Sequence, residues 1–335
     1  YMKNLFPALM KDSRRSLYLP FSLGHFANDF VPCSVVVLAP AIALDMGLNP
    51  MEVGLLLTLH TLGSALGFFP AGLLADSARN RGNLLVLTFW WVGLGYLLAS
   101  WAPGFWSLAF LFALAGCGDA AWHPLATAIL VKSDPQNRGQ ALGFHAVGGT
   151  LAGVVGPVIV GILLTSMDWR QTLHLIILPT LLVGLLFIKI RKLVPEQPRL
   201  KAISKADFKH LWKSWSKKTG LLIICLMSSY HMSLVAMMSM IPLYLREFHG
   251  LSSAMTGLAF GMMVLSGAFM QPLMGRFSDR AGRRRVIVLG IATAAVCAFM
   301  IPVLENFGLL LIIIIFLVVG VGLLEGVRSS VLAAA

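Results

Sequence analysis

The sequence predicts an all-α membrane protein made of two helical bundles. Three observations carry that prediction: apolar runs of bilayer length, basic residues gathered in alternate loops, and a repeat that lays the later part of the chain over the earlier part. Of 335 residues, 58% are hydrophobic and 12% charged, and the mean hydropathy is +0.83. A water-soluble domain carries about 25% charged residues. The 32 glycines and 16 methionines suit close-packed transmembrane helices, in which small residues let backbones approach.

A hydrocarbon core of ~30 Å takes about 20 apolar residues in a helix. Runs of this kind lie near 17–44, 51–75, 84–102, 105–131, 139–165, 170–190, 219–245, 252–275, 286–303 and 307–332, which makes ten spans. The first is too long, and too broken by polar residues, to be a cleaved signal peptide. With the N-terminus in the cytoplasm, Lys3, Lys11, Arg14 and Arg15 lie inside. So do Arg79 and Arg81 after span two, Lys132 and Arg138 after span four, and Arg276, Arg280, Arg283, Arg284 and Arg285 after span eight. The outer loops hold only Arg170 and Arg246. This is the positive-inside pattern, so the net charge of +12 reflects topology and argues against nucleic acid as a partner. Trp101, Trp106 and Trp169 fall at outer span ends, where an interfacial belt accounts for them. Cys33, Cys117, Cys225 and Cys297 lie inside spans without motif spacing and read as small apolar packers.

The repeat is visible by eye. Gly54 to Gly72 has the spacing of Gly257 to Gly275, with Pro70 and Pro272 just before the second glycine of each pair. Asp76 and Asp279 each follow four residues after it, ahead of a basic cluster. Residues 1–192 thus form a six-helix bundle, 193–218 a cytoplasmic connector, and 219–335 a second bundle with four of six helices. Twelve spans are expected, about ten of them in this chain, with two more after Ala335. In the connector, Phe208, Leu211, Trp212 and Trp215 share one helical face opposite lysines, the pattern of a short helix on the inner membrane surface.

Span one holds His25 and Asp29, and span four holds Asp119 and His123; each pair is four residues apart and on one helix face. Counted from the inner ends of their spans, both pairs sit at depths of roughly 12 and 18 Å at 1.5 Å per residue. An ionisable group that deep must be paired, wet or neutralised, so it marks a functional path.

The loop "GLLADSARNRGN" (72–83) resembles the loop-two signature of the major facilitator superfamily, and "GRFSDRAGRRR" (275–285) is a nearly complete second copy. In the first copy Ser77 replaces the basic residue that follows the aspartate. "PQNRGQALG" (135–143) is similar to the loop and helix start after span four. "GHFANDF" (24–30), "WHP" (122–124) and "GFHAVGGTLAGVVGP" (143–157) resemble the fosmidomycin-resistance-like exporters of that superfamily. The last stretch also resembles the antiporter helix signature, with Gly149, Gly153, Gly156, Pro157 and Gly161.

The resemblance implies a major-facilitator-type two-bundle fold whose first, fourth, seventh and tenth spans line a central path. Those spans carry His25 and Asp29, Asp119 and His123, His231, and Glu325 with Arg328. It implies gating through Gly72, Asp76 and Arg138, through Gly275, Asp279, Arg280, Arg283 and Arg284, and through Gly156 and Pro157. Asp29, Asp119, His25 and His123 are the candidate proton-coupling groups, with Asp119 as carrier and Asp29 as rival. His231, Glu325, Arg328 and His145 are the candidate substrate contacts, and Arg328 would hold an anionic group bidentately. The function expected is a proton-coupled secondary transporter, an antiporter exporting a small organic solute by alternating access. The protein would work as a monomer in a bacterial inner membrane, with protons, lipid and solute as partners and without cofactor or resident metal. Transport of a divalent metal or siderophore is the alternative, and a non-transporting scaffold or sensor is the alternative of another class. No Gly-x-Ser-x-Gly, P-loop or His-Glu-x-x-His is present to suggest an enzyme.

Overall fold

The computed structural model describes residues 15–197, 209, 212, 213, 215–306, 308, 312 and 313. Among these the regular structure is helical. The helices are α1 (Tyr18–Asp29), α2 (Val35–Met46), α3 (Pro50–Ser77), α4 (Arg81–Ala99), α5 (Phe105–Ser133), α6 (Arg138–Leu163), α7 (Trp169–Ile176), α8 (Leu178–Ile190), α9 (Lys218–Glu247), α10 (Ser253–Ala281) and α11 (Arg283–Met300). Eight helical stretches are long and apolar enough to cross a membrane, or nine if the bent pair α1 and α2 counts as one span. They correspond to the first nine runs of the sequence. The tenth run, with Glu325 and Arg328, lies almost wholly outside the described residues, as does most of the connector.

Local chemistry explains the helix ends. Asn49 caps α3 by accepting from the Glu52 N–H at 3.0 Å, while the Glu52 carboxylate accepts from the Asn49 N–H at 2.9 Å, with Pro50 at the first helical position. Asp168 and Gln171 make the same reciprocal cap on α7. Asn80, inside the loop-two signature, caps α4 through the Asn83 N–H at 3.1 Å. The first span is broken directly after Asp29, and its halves are bent by 41°. Pro32 has no N–H to return to the Asn28 carbonyl. The Ser34 hydroxyl donates to the Phe30 carbonyl at 2.6 Å and so satisfies part of the loosened backbone.

Glycine sets the distances between helices. A Cβ on Gly63 of α3 would overlap the backbone of Ala113 on α5, and one on Gly67 the carbonyl of Cys117. From the other side, a Cβ on Gly116 would lie 2.7 Å from the His60 carbonyl oxygen. Gly148 places α6 against the Ser22 carbonyl of α1. Where α6 meets α10, Gly161 faces Gly257, and Gly257 also abuts the Pro157 carbonyl. Backbone-to-backbone packing of this kind is how membrane helices associate without a hydrophobic drive.

Two buried cores result. One draws on Phe30 to Leu57, Val92 to Ala115, Val160 to Ile177, and then Ile241, Leu245, Phe260, Met263 and Cys297. It lies toward the helix ends away from the basic loops, and it joins residues from both parts of the chain. The other, toward the basic loops, is made of residues from Leu17 to Val194. Among the described residues, the early and late helices therefore share a core on one side only.

One expectation is corrected. Trp101 and Trp106 are 61% and 71% exposed, as a belt requires, but Trp169 is 2% exposed. Its indole N–H donates to Asp45 Oδ2 at 2.8 Å, and the Arg170 guanidinium lies 4.2 Å over its ring. Capping at Asp168 starts α7 at Trp169 and turns the ring inward toward α2. Trp169→Phe should cost about 1 kcal/mol of stability, the worth of one hydrogen bond, read as a lower thermal midpoint in detergent. Equal midpoints would mean that the indole bond contributes nothing.

Candidate functional site

Three helices bring their polar residues to one place. α1 supplies His25, Asn28 and Asp29, α5 supplies Asp119 and His123, and α6 supplies His145. The i, i+4 spacing of His25 and Asp29 closes a contact of 3.1 Å between His25 Nε2 and Asp29 Oδ2. His25 Nδ1 lies 2.7 Å from the His145 carbonyl oxygen. The His145 ring is stacked on that of His25, with centroids 4.0 Å apart and planes at 16°. His123 Nε2 is 3.8 Å from Asp29 Oδ1, and its ring stacks on Phe68 at 5.8 Å. The amide N–H groups of Asn28 reach Asp119 Oδ1 at 2.6 Å, the Asp119 carbonyl at 3.2 Å and Asp29 Oδ1 at 3.1 Å.

The matched depths of the two His–Asp pairs thus become direct contact, but the pairing differs from the sequence expectation. His123 finds its ion-pair partner on α1, in Asp29, and Asp119 is held by Asn28. The reason is the approach of α1 to α5. Gly24 faces the Trp122 ring, against which a Cβ would stand 2.6 Å away, so the polar end of α1 meets the middle of α5 at short range. His145 was expected as a substrate contact. It is 4% exposed and belongs to this cluster, because Gly148 and Gly149 let α6 lie on Ser22 and on the His25 ring. Asn28, fully buried, was missed by sequence reasoning; its only signal was a place between His25 and Asp29 in "GHFANDF".

His231 lies elsewhere. It lines a cavity of about 1010 Å³ between α3 and α9, together with Leu57, Thr58, Thr61, Met232 and Ser239, and none of the cluster residues takes part in those walls. The Thr58 and Thr61 hydroxyls bond their own helix, at the Gly54 and Leu57 carbonyls. The cavity wall is therefore largely apolar.

At the basic loops, Asp76 Oδ1 lies 3.8 Å from Lys132 Nζ. Lys132 also donates to Gln197 Oε1 at 3.1 Å, and the Gln197 amide caps the end of α3 through the carbonyls of Ala75, Asp76 and Ala78. Arg79 pairs with Glu196 at 2.8 Å. Glu196 and Gln197 are further residues that the sequence reading did not single out. Gly72 faces open space, and Arg138 opens α6. Gly156 abuts Ser34 and Phe30, and Pro157 abuts Gly257. Arg280 and Arg284 are exposed. Gly275 and Asp279 fall in α10 and Arg283 at the start of α11, but their side chains lie outside what is described, and Glu325 and Arg328 lie outside the described residues altogether.

Long apolar helices around a part-buried ionisable centre define a polytopic helical membrane protein. The chain belongs to the Major Facilitator Superfamily, whose sequence profile matches residues 21–335. It is similar to a probable 4-methylmuconolactone transporter of Cupriavidus pinatubonensis, at 29% identity over 275 residues, 79% of this chain and 62% of that protein. It is also similar to the fosmidomycin resistance protein of Escherichia coli, at 23% identity over 276 residues, 81% of this chain and 68% of that protein. The second match accords with the group to which the short motifs pointed. The chain thus spans roughly two thirds of the length of these relatives. Among solved structures, a bacterial homolog of the human lysosomal transporter Spinster, inward-facing and unoccupied, has a TM-score of 0.79 at 19% identity. That match covers 96% of this chain and 75% of the other, and it establishes a shared fold.

Proposed function

We propose that the protein is a proton-coupled secondary transporter that exports a small organic solute in exchange for protons. The observation that carries this reading is the bonding of His25. A carbonyl oxygen can only accept, so Nδ1, facing the His145 carbonyl, must carry a proton. Nε2 then faces a carboxylate oxygen of Asp29, and that contact also needs a proton between its two atoms. The pair is either imidazolium with carboxylate or imidazole with carboxylic acid. In both forms it holds one exchangeable proton, and the two groups titrate as a unit. The geometry supports His25 with Asp29 as the carrier ahead of Asp119, because the close histidine contacts, from His25 at 3.1 Å and His123 at 3.8 Å, both go to Asp29.

Alternating access is supported by the two cores. Early and late helices share buried residues away from the basic loops, while the core near those loops comes from Leu17 to Val194. Under the positive-inside orientation, with the N-terminus in the cytoplasm, this is an arrangement open toward the cytoplasm. The cavity beside His231 has the volume of a small-molecule site, and its apolar walls suit a weakly polar solute. The direction of transport is supported by the resistance named in the Escherichia coli relative.

The test is flux in proteoliposomes under an imposed pH gradient, screened with small lactones, sugars and phosphonates. One pH unit stores about 1.36 kcal/mol per proton, so one-for-one exchange should concentrate the solute up to about tenfold. Flux that ignores the gradient for every transported solute would remove protons from the mechanism.

A further inference from the structure

We propose that Asp29, Asp119, His123 and the side-chain oxygen of Asn28 form a binding site for a divalent transition-metal cation. One ligand atom from each of Asp29, Asp119 and His123 lies within 4.8 Å of the others. Asn28 gives the second, independent observation. It is fully buried, its Nδ2 stands between the two carboxylates at 3.1 and 2.6 Å, and its Oδ1 has no hydrogen-bond partner. A half-turn of the amide exchanges nitrogen and oxygen, since the two ends have nearly the same shape. The donor that bridges the carboxylates becomes a third oxygen at the same short range, an arrangement that a bound cation stabilises when both carboxylates are ionised.

The separations fit such an ion. Ligands bound at about 2.0–2.2 Å lie roughly 3–3.5 Å from one another around the metal. The ligand atoms of Asp29, Asp119 and His123 lie within 4.8 Å of one another, and His123 Nε2 stands 3.8 Å from Asp29 Oδ1, so closing on an ion takes shifts of about 1 Å. Two carboxylates balance the charge of a dication once the proton shared by His25 and Asp29 has left, and the loaded site is then neutral inside the membrane, where an unbalanced ion is costly. Oxygen ligands with one imidazole select the Mn²⁺, Fe²⁺, Co²⁺ and Zn²⁺ class over Ca²⁺. The neighbouring triad His25, His123 and His145 is the weaker site, because both nitrogens of His25 are engaged, with Asp29 and with the His145 carbonyl. The proposal goes beyond the transport reading and does not depend on what drives flux.

The experiment titrates Co²⁺ into the full chain, purified in detergent, and reads the visible absorption of ligated cobalt. The expected result is saturation at one Co²⁺ per chain and displacement by Zn²⁺. Asp119→Asn and His123→Ala should each weaken binding at least about tenfold, and Asn28→Ala should weaken it measurably. His60→Ala, which leaves the cluster intact, should bind as wild type does. If the first two variants unfold, Asp119→Glu keeps a carboxylate and should still give the cobalt spectrum. Absence of saturable absorption overturns the proposal, as does saturable absorption that persists unchanged in both Asp119→Asn and His123→Ala.

Discussion

Asp29→Asn should reduce pH-driven accumulation of solute to background, while exchange of solute at equal concentrations on both sides continues. The amide has the shape of a protonated carboxyl group but neither takes up nor releases a proton. His25 Nε2, now 3.1 Å from a carboxylate oxygen, would face a neutral group, and no proton would be tied to the change of access. Exchange needs only that the loaded protein alternate, so it survives. In numbers, the accumulation ratio falls from about tenfold per pH unit to one. Asp119→Asn is the comparison. Its carboxylate is held by Asn28 at 2.6 Å, and the variant should keep at least part of the uphill flux. The opposite outcome, with uphill flux lost in Asp119→Asn and kept in Asp29→Asn, would return the carrier role to Asp119, as first read from the sequence.

Gly63→Ala should remove most of the folded protein, and Gly72→Ala should not. The two glycines lie on the same helix, nine residues apart, and the added methyl group is the same. At Gly63 it would overlap the Ala113 backbone of α5, whereas at Gly72 it meets nothing within 4 Å. Backbone cannot rotate away as a side chain can, so α3 and α5 must separate along a contact that includes Gly67 and Gly116. Overpacking of this kind costs typically 1–3 kcal/mol and more when the neighbour is rigid, a large share of a membrane domain's stability. Replacing Gly72 by Ala in an open helix interior gains about 0.5–1 kcal/mol from the backbone. Monodisperse yield and thermal midpoint in detergent measure both. Equal yields would mean that α3 and α5 can repack at Gly63.

The fold was legible because bilayer physics leaves few options. Length and apolarity located nine spans to within a few residues, and loop charge gives them an expected orientation. The repeated glycines and aspartates pointed to two related units. The site was legible in part, for a related reason: His25, Asp29, Asp119 and His123 are conspicuous in apolar helices. What could not be read was who touches whom. The spacing of Asp119 and His123 implied a pair within α5, but the contact of His123 with Asp29 depends on how closely α1 approaches α5. Asn28 carries no charge, so nothing in composition separates it from a packing residue. His145 joins the cluster only because glycines 148 and 149 leave room for its ring against His25. Trp169 followed the rule for outer span ends until Asp45 on another helix offered its indole a partner. Each miss is a distance between helices, which periodicity along one helix does not encode.

The crossing of Gly161 and Gly257 has a consequence for how fast such a molecule can change shape. Helices that mesh through large side chains behave like gears, and one must climb over the other's teeth, through strained rotamers, to reach a new angle. Here α6 and α10 touch through bare backbone at Gly161 and Gly257, while Val264 packs over Gly153 and Val158 over Gly261, so the crossing point itself is a plain bearing. Turning about it changes few rotamers and exposes little new surface, which keeps friction at the axle low. On the alternating-access reading proposed above, the speed of each stroke would then be governed by what happens at the periphery, in the lipid and in the side chains that must part, rather than at this joint.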